Sequence, residues 1–229
     1  MEKRLGVVFA GAEGPPPQLL RRLLDGVTEK MVLAAADSGL IRAEAAGLKP
    51  DWIVGDMDSL NSDSLNSEQR LRPYPADRVI RYAADKDYTD TELALALLWE
   101  KGCTEVWIAG GGGGRLAHIF GIRDLFERER FPRRWFTAAE DVYCIDGDGG
   151  GSNTASLTVT IKQSGVVSVF PLGGGHWKAH STGLKWPLDN VHWERGLYGL
   201  SNVAMEPEIT INAQQGRFMI ILEGMWRRA

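Results

Sequence analysis

The sequence predicts an α/β protein, a parallel sheet with its helices followed by a smaller all-β domain. In the first part of the 229-residue chain, short apolar runs alternate with amphipathic helical patterns. Repeated strand–loop–helix units of this kind lay strands side by side in parallel and cover them with helices. After about residue 140 the pattern changes to short strand runs without a long helical stretch. Hydrophobic residues make up 44% and charged residues 24%, the composition of a folded globular chain with a proper core.

Leu5–Ala10 is an apolar run ending at glycine, as a buried parallel strand should be. Three prolines then lead into a helix over Gln18–Asp25, with leucines at 19, 20, 23 and 24. Met31–Ala36 is a second strand, Ile41–Ala46 a short helix, Asp51–Val54 a third strand and Arg78–Tyr82 a fourth. Thr89-x-x-Glu92 is a capping-box pattern opening a helix that Gly102 ends. Val106–Ala109 is a fifth strand. A helix is predicted over Arg115–Glu129, where Leu116, Ile119, Phe120, Leu125 and Phe126 suit one. Beyond it, Leu157–Ile161, Val166–Phe170 and Arg217–Leu222 read as strands, with Gly147–Gly151 as a loop near the joint.

Several function classes are disfavoured at this level. Charge balance is 26 − 30 = −4, which gives no basic field for nucleic acid. Cys103 and Cys144 are too few for a disulfide framework or a Cys-rich zinc site, which fits a reduced cytoplasmic compartment. The N-terminal segment lacks the pattern of a signal peptide, and no apolar run is long enough to span a membrane.

The acidic residues gather where strands end. Asp37 follows one strand, Asp56 and Asp58 another, and Asp85, Asp87 and Asp90 a third. Ligands of open α/β sheets bind outside the carboxyl ends of the strands. An isolated Asp-x-Asp is commonly a solvated turn. Two such clusters repel unless a cation neutralises them, and hard carboxylate oxygens select Mg²⁺ or Mn²⁺. Gly110–Gly114 and Arg115 form a strand-to-helix loop. Its glycines let backbone approach a phosphate, and the arginine offers a fork to phosphate oxygens. The run is neither a Walker loop nor Gly-x-Gly-x-x-Gly. Metal, polyphosphate and phosphate loop together point to phosphoryl or nucleotidyl transfer.

Eight tryptophans are many for this length. Trp186, within Gly183-Leu184-Lys185-Trp186-Pro187-Leu188, is surrounded by turn-formers, so it either packs a core or presents a ring to a flat heterocycle. The four histidines show no metal spacing.

These motifs in this order resemble the thiamine pyrophosphokinase (thiamine diphosphokinase) family. The resemblance rests on Ala36-Asp37-Ser38-Gly39, Gly55-Asp56-Met57-Asp58-Ser59, Asp85-Lys86-Asp87-Tyr88-Thr89-Asp90, Gly113-Gly114-Arg115 to His118, Gly183–Leu188 and Ser201-Asn202. It implies a Rossmann-like ATP-binding catalytic domain over 1–140. It also implies a β-sandwich over 141–229 that binds thiamine and dimerises, with thiamine at the interface of a homodimer. The implied reaction moves a pyrophosphoryl group from Mg·ATP to the hydroxyl of thiamine, giving thiamine diphosphate and AMP. By position, Asp56, Asp58, Asp85, Asp87 and Asp90 would serve the metal and phosphates. Asp37, Gly112, Gly113, Gly114, Arg115 and His118 would meet the nucleotide. Trp186 would stack on thiamine, with Ser201 and Asn202 hydrogen-bonding it. Arg115 and the aspartates 56, 58, 87 and 90 carry the catalytic expectation.

Ala117 stands where the family usually has aspartate, Gly121 where it has asparagine and Ser38 where it has glycine. The alternative is therefore a weakened or retargeted member binding nucleotide and a thiamine-like heterocycle. From another class, a metal-dependent glycosyltransferase would use Asp56-Met57-Asp58 but leaves the second acidic cluster and the glycine run unexplained.

Overall fold

The computed structural model describes residues 3–60, 66–148 and 155–224. Its contacts divide the chain into two compact units, Met1–Leu125 with Trp135–Ala138, and Phe126–Arg134 with Ala139–Ala229.

The first unit is built on β1 (Arg4–Phe9), β2 (Lys30–Ala36), β3 (Trp52–Gly55), β4 (Val79–Arg81), β5 (Glu105–Ala109) and, from Trp135 on, β6 (Arg134–Phe136). Strand order is β6-β5-β1-β2-β3-β4. β1 pairs in parallel with both β2 and β5, β2 with β3, and β3 with β4. From Leu5 to Phe9 every residue of β1 is buried, as the continuous apolar run requires of a strand covered on both faces. The chain steps outward from β1 to β4, then returns to the other side of β1 as β5. That reversal is a topological switch point, where doubly wound sheets open a crevice at their carboxyl ends.

Helices α1 (Pro17–Asp25), α2 (Gly39–Ala45), α3 (Ser67–Leu71), α4 (Asp90–Glu100) and α5 (Leu116–Leu125) belong to this unit. Phe9, Leu20, Leu24, Leu40, Ile53, Leu60, Leu98, Ile108 and Phe136 are among its fully buried large side chains. Thr89 caps α4 by accepting from the Glu92 amide, while Glu92 accepts from the Thr89 amide at 2.8 Å, the box the sequence predicts.

α5 departs from expectation. It stops at Leu125 rather than Glu129 and buries Ile122 and Leu125, while Leu116 and Phe120 are 63% and 57% exposed. At 100° per residue, positions 116 and 120 share a row nearly opposite 122 and 125, so the five apolar residues cannot all face one way.

The second unit holds β7 (Glu140–Asp148), β8 (Ala155–Thr160), β9 (Val166–Leu172), β10 (Lys178–Thr182), β11 (Gly199–Val203) and β12 (Glu208–Glu223). β12 is its hub, pairing antiparallel with β7, β8, β9 and β10, while β11 pairs with β9. The sequence reads only Arg217–Leu222 as strand here, because the polar stretch Asn212–Gln215 hides the first half. Gly216, at φ +77°, marks the changeover between partners. Val167, Val169, Ile209, Ile211, Phe218 and Ile220 form the centre of this unit's core. Within the glycine cluster predicted as a loop, Gly147 is instead strand, and a Cβ there would fall 2.1 Å from the Ala213 carbonyl oxygen. Gly149–Gly151 lie outside the described residues. Among the described residues no helix is long and apolar enough to cross a membrane.

Candidate active site

The carboxyl ends of β2 and β3 build an acidic site. Asp37, directly after β2, takes a left-handed backbone at φ +46° and donates its amide to the Val54 carbonyl at 2.9 Å. This strained turn fixes the direction of its side chain. One carboxylate oxygen accepts from the Ser59 hydroxyl, and the other is buried without a hydrogen-bond partner. After β3, Met57 is only 2% exposed and packs with Leu40, Ile53 and Leu60. Anchoring the middle residue holds Asp56 and Asp58 on either side of it. The Asp58 amide donates to Asp56 at 3.3 Å. Carboxylate oxygens of Asp37, Asp56 and Asp58 lie within 4.8 Å of one another.

Asp90, the first residue of α4, approaches from the next element. A Cβ on Gly55 would sit 3.1 Å from Asp37 Cβ and 3.2 Å from the Asp90 carboxyl carbon, so glycine leaves room for both acids. The Lys86 ammonium lies 3.1 Å from Asp90 and 3.7 Å from Asp56. Asp85 and Asp87 are exposed and stand outside the Asp37–Asp56–Asp58 group.

Electrostatics follow from this crowding. Burial, then repulsion from Asp90, pushes the Asp37 carboxyl above its ordinary value despite the Ser59 hydrogen bond. Asp58 is raised first by the charge of Asp56. Burial raises Asp90, partly offset by Lys86. Burial alone would lower Lys86, but hydrogen bonding to Asp90 and the charges of Asp90, Asp56 and Asp37 outweigh it and hold it raised. An orphaned buried oxygen beside two further carboxylates fits a hard divalent cation.

The glycine run follows β5. Its first three amides are already engaged: Gly110 donates to Phe136, Gly111 to Gly11 and Gly112 to Glu13, at 2.9, 2.8 and 3.0 Å. Among the described residues, the amides of Gly113 and Gly114 donate to no backbone carbonyl. The amides of the run without a backbone partner therefore begin at Gly113, one residue after Gly112. A Cβ on Gly113 would meet the Glu13 carboxyl carbon at 2.6 Å. Arg115 donates to His118 Nε2 at 2.6 Å, so that pair stands together on the exposed side of the loop.

Two residues escaped the sequence reading. Arg42 of α2 donates from Nε to the Ala10 carbonyl at 3.3 Å and from Nη2 to that of Ala12, wedged between the loops after β1 and β5. Lys86 sat inside a singled-out motif without a role. A lone arginine on a short helix carries no local signal, whereas a lysine between two acids carries a weak one.

In the second unit, Trp186 is 53% exposed, with the Lys185 ammonium 4.6 Å from its ring centre. Asn202, 5% exposed, grips the backbone below: Oδ1 accepts from the Trp186 and Val203 amides at 3.2 and 2.8 Å, and Nδ2 donates to the Trp186 carbonyl at 2.6 Å. Its amide group is thus spent on holding the tryptophan turn. Ser201 has φ +57° and is exposed, and its amide donates to the Ser168 hydroxyl at 3.2 Å.

The first unit is accordingly a doubly wound α/β body with carboxylates, a lysine and a glycine–arginine loop at its strand ends. Residues 25–132 match the family "Thiamin pyrophosphokinase, catalytic domain", and 156–218 match "Thiamin pyrophosphokinase, vitamin B1 binding domain". Thiamine pyrophosphokinase of Bacillus subtilis is 32% identical over 221 residues, covering 91% of this chain and 94% of that one. Thiamine pyrophosphokinase 1 of Arabidopsis thaliana is 27% identical over 173 residues, covering 72% of this chain and 62% of that one. The solved structure of the Bacillus subtilis protein superposes with a TM-score of 0.74, at 21% identity in the structural alignment, covering 96% of this chain and 99% of that one. That of thiamin pyrophosphokinase from Candida albicans gives 0.68 at 16% identity, covering 97% and 90%. The chain belongs to the thiamine pyrophosphokinase family.

Proposed function

We propose that this protein transfers a pyrophosphoryl group from ATP to the hydroxyl of thiamine, giving thiamine diphosphate and AMP. The observation that carries this reading is the gathering of Asp37, Asp56 and Asp58 at the strand ends, in a chain that matches both family domains. The thiamine hydroxyl oxygen forms a bond to the β-phosphorus of ATP and loses its proton. The bond from that phosphorus to the oxygen bridging to the α-phosphate breaks, and AMP leaves with the oxygen.

Asp37, Asp56 and Asp58 would hold Mg²⁺, or Mn²⁺, with Asp90 facing the same charge. The ion supplies charge neutralisation to the polyphosphate. Arg115 and the amides of Gly113 and Gly114 orient phosphate oxygens, and His118 steadies the guanidinium. Asp85 and Asp87, exposed in the loop before α4, serve the rim of this site. In the second unit Trp186 stacks on thiamine, and Asn202 acts by fixing its turn. We further infer that the two units are an ATP-binding catalytic domain and a β-sandwich for thiamine and dimerisation. The working form is a cytoplasmic homodimer with thiamine at the subunit interface. Matches to both family domains favour this reading over a weakened member or a glycosyltransferase.

The test is incubation with thiamine, ATP and Mg²⁺, quantifying thiamine diphosphate and AMP together. Equal yields of both, abolished by chelation and reduced at least about 10²-fold in Asp58→Asn, are expected, since removing one charged partner of the transition state has that scale. AMP without thiamine diphosphate would refute thiamine as acceptor, and neither product from folded protein would refute the activity.

A further inference from the structure

Lys86 is a half-buried ammonium inside a carboxylate cluster, and none of the roles above uses it. Its side chain is 16% exposed, against 19% for Asp56 and 23% for Asp90. Such burial is costly for a lysine and is tolerated here because both partners are acids. Asp56 is the hinge of the arrangement. It belongs to the three-carboxylate group with Asp37 and Asp58, and the same carboxylate lies 3.7 Å from the lysine nitrogen. A cation held by the three acids and the lysine charge must therefore share one ligand.

We propose that Lys86 is a tethered counter-ion that competes with the divalent cation for Asp56. It holds the acidic site together before metal arrives and keeps metal affinity low until polyphosphate supplies further ligands. Four carboxylates, Asp37, Asp56, Asp58 and Asp90, face one ammonium, so the site stays acidic enough to attract a dication. Yet two cations sharing one carboxylate repel at short range in a partly desolvated setting. The buried, unpartnered oxygen of Asp37 forms no ion pair with the lysine, whose pairs are with Asp56 and Asp90, which leaves it for the metal. This rests on the reading that these carboxylates bind a divalent ion.

The test uses the full chain without nucleotide or thiamine, titrating Mn²⁺ and reading free ion by electron paramagnetic resonance. Lys86→Met should bind Mn²⁺ at least about tenfold more tightly than the parent, because a full positive charge beside the ion has gone. Lys86→Arg, which keeps the charge, should stay within about threefold of the parent. Lys86→Met should also lower Tm in EDTA and show a larger Mn²⁺-induced rise, with circular dichroism confirming a native fold. Unchanged or weaker Mn²⁺ binding in natively folded Lys86→Met overturns the inference, as does equal tightening in Lys86→Arg. Absence of Mn²⁺ binding in all three proteins overturns it together with the metal assignment. Failure to form thiamine diphosphate while Lys86→Met tightens Mn²⁺ would sink the proposed activity and leave the counter-ion role standing.

Discussion

At the scale of single residues, the acidic site spends folding stability to hold charge. Asp37 illustrates the sign. Its carboxyl is raised in the folded protein by burial first and by Asp90 after it. A raised carboxyl contributes stability that is fully present below the unfolded value and is lost as pH rises through the folded value. Metal-free protein at neutral pH therefore lacks that contribution. Asp37→Asn should raise Tm at pH 7 in EDTA by about 2–4 °C, the response to roughly 1 kcal/mol at this size. It should also flatten the stability gain seen on acidifying towards the ordinary carboxylate range, and should weaken Mn²⁺ binding. A lower Tm in EDTA, measured by calorimetry across that range, would contradict this account. The residue types of the site were legible in sequence, since carboxylates after apolar runs mark strand ends. Their selection was not. Ser59 bonding to Asp37, Met57 anchoring the loop and Gly55 admitting Asp90 are contacts between separate segments. No spacing rule separates Asp58, which joins the three-carboxylate group, from Asp87, which does not, although both are exposed.

At the scale of elements, legibility follows how local the cause is. The α4 cap lies within four residues and is legible in the sequence. β7 is not legible, because its acids look unlike a strand. Asp141 is balanced by Arg134 and Asp146 by Arg217, the latter 71 positions away. The glycine run was legible as a loop, but its obligations come from neighbours. At Gly110, φ is +101° and an added Cβ would lie 2.4 Å from the Ala10 carbonyl oxygen, which is backbone and cannot swing aside. Gly121 in α5 is exposed with nothing within 4 Å of such an atom. Opposite outcomes follow for one chemical change. Gly110→Ala should destabilise by about 2–3 kcal/mol through strain at a position that forbids a side chain. Gly121→Ala should stabilise by about 0.5–1 kcal/mol, because a helix interior favours alanine. Urea midpoints moving the same way in both variants would refute the assignment of the two glycines.

At the scale of the whole molecule, the change from alternating strand and helix to strand alone was visible in sequence, but how the chain is shared between the units was not. Phe126–Arg134 groups with the second unit and Trp135–Ala138 with the first, so the path crosses more than once. Physical reasons sit inside the second unit. Arg217 of β12 donates from Nη1 to the carbonyls of Phe126 and Arg128 at 2.8 and 2.7 Å, and its guanidinium lies 3.6 Å from the Phe131 ring centre. The Cys144 amide donates to the Arg133 carbonyl at 2.9 Å, and Arg134 pairs with Asp141. A fragment of 141–229 loses all these partners and exposes the arginine's carbonyl-facing edge, whereas 126–229 keeps them. Unmade hydrogen bonds to a charged group cost about 1.5–3 kcal/mol each, which is comparable with the whole stability of a small domain. The longer fragment should unfold cooperatively in urea by tryptophan fluorescence. The shorter should show a midpoint lower by at least about 1 M, or no transition, given slopes of about 1–3 kcal/mol/M. Equal midpoints would mean that the segment before β7 is carried by the second unit rather than supporting it.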